Sequence, residues 1–270
     1  MLPTSNERVK EFWERQACGE VYASGDTLEK QLETQALVRH ALEPVLREFA
    51  RFDDASGRDV LEIGVGMGAD HLQWARARPR VLVGIDLTSR AVRFTHARLL
   101  EYGYAPRVAI ANAEELPFAD NSFDLAYSWG VLHHAANTKA AVQELWRVLK
   151  PNGCARVMIY HKHSIVGYLL WIRYALLKGR PRRTLEELYS QHLESPGTKA
   201  YTVDEGRRLF ERFSSVEARS ALSLADLMQG LAGDRHGGRL LGAVRLVWPR
   251  WLIRRLLPDH GLDLLIEAVK

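Results

Sequence analysis

The chain has 270 residues, 47% hydrophobic and 26% charged, with 37 Lys+Arg against 33 Asp+Glu and a formal net charge of +4. That balance excludes a disordered or collagen-like chain and fits one large α/β domain with additions. Cys18 and Cys154 lie far apart, which argues against a disulfide framework or zinc site. The apolar stretch 165–177 contains Arg173 and is too short to cross a bilayer.

The first helical patterns cover residues 6–15 and 27–52, where apolar residues recur at three-four spacing. They precede the first core strand and are expected to cap its cleft. VLEIGVGMGAD, from Val60 to Asp70, then joins an apolar strand to alternate glycines and a helix. VLVGID, from Val81 to Asp86, ends a second strand on a carboxylate. This order of strand, glycine loop, helix and strand opens a nucleoside-binding site. Gly64, Gly66 and Gly68 let backbone approach a ligand, and Asp86 can accept both hydroxyls of a ribose. A dinucleotide loop would read G-x-G-x-x-G. Here it reads G-x-G-x-G between Glu62 and Asp70. Two carboxylates disfavour a pyrophosphate and suit a cationic nucleoside such as S-adenosylmethionine.

Residues 108–113 read as a third strand, 123–128 as a fourth and 154–160 as a fifth. A helix over 140–149 is stopped by Lys150-Pro151-Asn152-Gly153. Residues 216–222 and 262–269 supply the sixth and seventh strands. The expected fold is α/β: a doubly wound, mostly parallel seven-stranded sheet with a helical N-terminal cap and C-terminal insertions. The divisions are 1–58 for the cap, 59–164 for the cofactor-binding core, and 165–270 for the rest of the sheet with inserted helical lid segments.

EIGVGMG, GID, ANAEELPFADNSFDLAYSWGVLHH and LWRVLKPNG, in register from Val60 to Tyr160, together resemble the class I S-adenosylmethionine-dependent methyltransferases. The branch is that of the ubiquinone/menaquinone and sterol C-methyltransferases and many small-molecule enzymes, with a Rossmann-like fold. FWERQACG and YHKHS resemble a bacterial subgroup of the family. The resemblance implies that Glu62, Gly64 and Gly66 surround the methionine part of the cofactor, that Gly68 belongs to the same cofactor-binding loop, and that Asp86 holds the ribose. Leu87, Asn112, Ala113 and Glu114 fall around the adenine. Ser128, Trp129 and His133 fall near the reactive end. The family usually has Asp at position 112, so Asn112 keeps an acceptor oxygen but loses charge assistance.

Residues 165–183 and 223–258 are insertions rich in aromatics and arginine. Over 165–257 there are 16 Lys+Arg against 9 Asp+Glu. The first reading is a lid that roofs the acceptor site. A peripheral membrane patch stays open, since 239–257 reads RLLGAVRLVWPRWLIRRLL, although Pro249 breaks its helix. Nucleic acid ranks last, because no RNA-binding module is present. His133, Tyr160 and His161 follow neighbouring strands and are expected to border the acceptor, with imidazole available as a general base. No metal site is expected. The function that follows is in-line methyl transfer to a small, apolar or lipid-like acceptor in the cytoplasm. The alternatives are methylation of RNA through the basic region and a dinucleotide-dependent oxidoreductase. Oligomeric state is not legible.

Overall fold

The computed structural model describes residues 5–229 and 248–270. Seven strands form one sheet in the order β3-β2-β1-β4-β5-β7-β6. They are β1 (Asp59–Ile63), β2 (Val81–Asp86), β3 (Val108–Ile110), β4 (Phe123–Trp129), β5 (Leu149–Tyr160), β6 (Ser215–Ala221) and β7 (Asp263–Val269). The first five run parallel, and β7 is antiparallel to both β5 and β6. Strand order reverses between β1 and β4, and this switch point opens a crevice at the C-terminal strand ends.

Before the sheet come α1 (Ser5–Arg15), α2 (Leu28–Leu42) and the short α3 (Leu46–Ala50). The continuous helix expected over 27–52 is therefore two. Pro44 disfavours helical geometry at Glu43, whose φ/ψ of −120/70 closes α2. Within the sheet lie α4 (Ala69–Arg76), α5 (Ser89–Glu101) and α6 (Thr138–Val148). After β5 come α7 (Ile165–Tyr174), α8 (Leu185–His192), α9 (Val203–Leu209) and α10 (Arg250–Leu256). Lys150–Gly153 does not sit between α6 and its strand as expected. β5 begins at Leu149, which pairs with Phe123, and a register shift before Leu125↔Cys154 absorbs the turn residues.

Two buried layers flank the sheet. On one face Ala155, Val157 and Ile159 pack with Leu145 and Val148 of α6 and with Phe210 and Phe213. On the other, Leu125, Tyr127, Trp129, Met158 and Tyr160 meet Phe49 of α3, Trp74 of α4 and Tyr189 of α8. The strand period of two thus sends Ile159 and Tyr160 to opposite layers. The inserted segments form their own small cluster, in which Ile165, Leu227 and Ile253 pack with Leu169, Leu222 and Trp248. Residues 230–247 of the expected second insertion, including 239–247 of the surface-patch reading, lie outside the described residues. No helix among those described is long and apolar enough to cross a membrane.

Candidate active site

A cavity opens where β1, β2, β4 and β5 end. Ile63, Asp86, Trp129 and Tyr160 close these strands and all line it. The glycine loop forms one wall. Gly64 has φ +84, and a Cβ there would lie 2.1 Å from Val131, so loop and β4 loop touch only because the side chain is absent. Gly66 has φ +52, and its missing Cβ points into open space. The Gly66 N–H donates to Asp86 Oδ2 (3.1 Å), while Thr88 donates twice to Oδ1 (3.0 and 2.8 Å). Asp86 thereby fixes the loop across the strand ends.

The roof is the N-terminal cap. Asn6, Val9, Trp13, Gln35, Arg39 and Glu43 line the cavity from α1, α2 and the turn after α2. Polar side chains anchor them. Asn6 Nδ2 donates to Glu114 (3.0 Å), and its Oδ1 accepts from Ala136 N–H (3.0 Å), bridging two core loops. Glu14 accepts from the backbone N–H groups of Ser89 and Arg90 at the start of α5 (2.9 and 3.1 Å). The buried Arg98 donates to Met67 O, Leu32 O and Gln35 Oε1 (2.7, 2.9 and 2.6 Å), tying the glycine loop to α2. The described residues of 165–183 and 223–258, where a lid was expected, do not form this roof. None of their described residues lines the cavity, because their apolar side chains pack on one another.

The carboxylates of the cavity differ sharply. Burial alone would raise Asp70, but the Arg39 guanidinium (3.0 Å) and the His40 bond (3.2 Å) outweigh it and hold Asp70 at about 2. Tyr127 also donates to it (3.1 Å). Glu62 is pushed well above the usual carboxylate range by burial, with Asp70 and Asp86 adding to the rise. It lies 2.8 Å from His71 Nδ1, and burial drops His71 to about 3. Burial lifts Glu43 to about 7 against the pull of Arg39, and Asp70 and Glu194 contribute.

At the far end of the cavity stand Tyr160, His134 and Glu194. His134 Nδ1 meets Ser195 Oγ (2.8 Å) and Thr198 Oγ1 (3.2 Å), which turns its Nε2 toward Glu194 Oε2 at 3.3 Å. Glu194 has φ +39, a left-handed backbone uncommon outside glycine and one that a surrounding structure must enforce. Burial raises Glu194, but His134 and the Tyr160 hydroxyl bring it below its ordinary value.

A family model described as a methyltransferase domain matches residues 61–157, from within β1 to within β5. The chain carries a class I S-adenosylmethionine-dependent methyltransferase domain. Its cofactor is S-adenosylmethionine. Over 114 residues the chain is 34% identical to O-methyltransferase resE of Aspergillus sclerotiorum, covering 41% of this chain and 43% of that protein. Over 108 residues it is 34% identical to the ubiquinone/menaquinone biosynthesis C-methyltransferase UbiE of Neisseria meningitidis, covering 39% and 44%. The matched stretch thus spans less than half the length of either relative. The fold matches a Thermotoga maritima structure described as a SAM-dependent methyltransferase, with TM-score 0.58, 17% identity and coverage of 97% and 99%.

The methyltransferase cavity fits this cofactor. The open space at Gly66 leaves backbone bare to a ligand, and Asp86 borders it with lone pairs beyond its three bonds. Glu62 is a buried carboxyl that an ammonium would ionise. Glu62, Gly64, Gly66, Asp86, Leu87, Asn112, Ala113 and Trp129 all line the cavity. Asn112 Oδ1 also accepts from Glu114 N–H (3.0 Å), so it caps its own loop.

Other expected residues stand behind the wall. Gly68 caps α4 against Thr95, Ser128 donates to Ile63 O (3.0 Å), and Glu114 holds Asn6. The expected acceptor trio needs correction. His133 is buried behind the wall with its ring 4.0 Å from that of Tyr160, and neither of its nitrogens has a partner. His161 follows Tyr160 along the chain and so faces the opposite side, where its Nδ1 lies 3.1 Å from Gly261 O. Only Tyr160 borders the cavity. Glu43, His134 and Glu194 are the titratable groups beside it that were missed. His134 adjoins a residue that was chosen. Glu194 had no local signal.

Proposed function

We propose that the protein transfers a methyl group from S-adenosylmethionine to a small molecule bound between the cofactor site and the wall of Tyr160, His134, Glu194 and Glu43. The observation that carries this reading is the single cavity that joins the glycine loop to that wall. When bound, S-adenosylmethionine supplies a methyl group already activated by a sulfonium. The protein's task is therefore mainly positioning and proton handling. Trp13, Trp129 and Tyr160 give the acceptor an aromatic bed. His134 Nε2 and Glu194 can take a proton from an acceptor O–H, N–H or acidic carbon, while Ser195 and Thr198 hold the ring in place. Glu43 provides a second proton acceptor near neutral pH. The wall is mixed aromatic and acidic, so it favours an acceptor with a flat apolar body and an ionisable nucleophile over a long purely apolar one.

Two measurements test this reading. Calorimetry should show S-adenosylhomocysteine binding and no NAD binding. Asp86→Ala should weaken that binding about tenfold, because charge-assisted hydrogen bonds contribute roughly 1.5–3 kcal/mol. Incubation with trideuteromethyl S-adenosylmethionine and a metabolite extract should yield a labelled small molecule. NAD binding as tight as S-adenosylhomocysteine, or no labelled product from any extract, would contradict the assignment.

A further inference from the structure

The described parts of the two segments expected to form the lid present a surface. Residues 165–183 and 248–257 contain eight Arg+Lys and no Asp or Glu. Arg173, Lys178, Arg180, Arg182, Arg254 and Arg255 are exposed, and among the described residues none of the six pairs with a carboxylate. The same segments expose large apolar side chains. Of 13 such residues in the described chain, eight lie here. Leu177 and Trp251 are the extremes, 73% and 71% exposed. Ile253 is the inward residue of α10 and meets Ile165 of α7, so the two helices share one support. Arg255 lies over the Trp251 ring at 6.0 Å. Soluble surfaces usually scatter such residues singly, and a cluster ringed by unpaired cations marks a contact surface.

We propose that this face, formed by α7, the 3-10 turn Leu176–Lys178 and α10, docks on an anionic lipid surface. Charge complementarity selects that occupant. The six exposed cations would meet lipid phosphates, while Trp251, Leu177, Leu252 and Leu256 enter the headgroup boundary. A folded protein partner would need a run of carboxylates interleaved with apolar pockets, whereas a bilayer supplies both as a continuum. The cavity does not include these residues, so docking and cofactor binding are separable.

The test is flotation of the full chain with vesicles at about 0.15 M ionic strength. Vesicles of phosphatidylglycerol and phosphatidylcholine should carry about tenfold more protein than phosphatidylcholine alone, and high salt should release most of it. Arg254→Glu/Arg255→Glu and, separately, Leu177→Glu/Trp251→Glu should each abolish the preference. Both variants should bind S-adenosylhomocysteine as the unaltered protein does, which shows that they are folded. Equal binding to both vesicle types, no binding, or unchanged binding by both variants overturns the proposal. So does tighter binding to a short RNA than to vesicles at the same salt. A dimer that Trp251→Glu converts to monomer assigns the face to a second copy and overturns it too.

Discussion

The N-terminal cap and the C-terminal insertions are both helical, both carry aromatics, and both lie outside the sheet, yet they do opposite things. The cap is fastened by directional bonds. Asn6, Glu14, Gln35 and Arg98 each satisfy or are satisfied by a core group. Its aromatic Trp13 faces the cavity. The insertions are fastened by a small apolar cluster and leave most of their arginines and several large apolar side chains in solvent. Polar residues on an early helix thus proved to be the sign of docking, and aromatic-basic segments the sign of an outward surface. Aromatic content alone does not identify a lid. What decides is whether the helix's polar groups have partners on the core.

The comparison can be broken at its most sensitive point, the proton-handling wall. Glu194→Gln should lower kcat by about a hundredfold or more, the range of general-base contributions, with S-adenosylhomocysteine affinity nearly unchanged. A loss of cofactor binding with kcat retained would move Glu194 out of the acceptor end. Glu43 adds a pH signature. Its value in the folded protein is about 7, above the ordinary 4.5. Its contribution to stability is therefore complete below 4.5 and disappears as pH rises through about 7. Melting temperature should fall across that window, and Glu43→Gln should remove part of the fall. The ionised form is the proton acceptor, so turnover should rise through the same window.

The cap's anchors come next in size. Asn6→Ala removes two hydrogen bonds near 3.0 Å, each contributing about 1 kcal/mol. S-adenosylhomocysteine binding should weaken about tenfold, with the global melting temperature little changed. Unchanged binding would show that α1 closes the cavity without Asn6. The smallest effect belongs to the insertions. Trp251→Ser should leave cofactor affinity and turnover of a soluble acceptor within about twofold, as for a surface change away from the site. A tenfold loss would return α10 to the roof.

Most of the sheet was legible because its signals are local. The glycine loop, Asp86 at the end of β2 and the turn before Phe123 each act over a few residues. The antiparallel β7 also emerged at nearly its expected boundaries. The helix break at Glu43 was legible too, had Pro44 been given its weight. The acceptor wall was not. Successive residues in an extended chain face opposite ways, so choosing His161 beside Tyr160 mixed two sides of the sheet, whereas His133 packs on the Tyr160 ring behind the cavity wall. Choosing correctly needed the orientation of the 3-10 turn Leu132–His134, which no local pattern encodes. Glu194 reaches His134 only through tertiary folding of the loop after α8, in a backbone geometry its residue type does not advertise.

The central claim is that α1 and α2 complete the cofactor and acceptor cavity while α7 and α10 stand apart from it. Hydrogen–deuterium exchange with and without S-adenosylhomocysteine tests it most directly. The account predicts that binding slows exchange in α1, in α2 and in the loop from Gly64 to Gly68, and leaves α7 and α10 unchanged. Protection of α7 and α10 with α1 and α2 unaltered would contradict it.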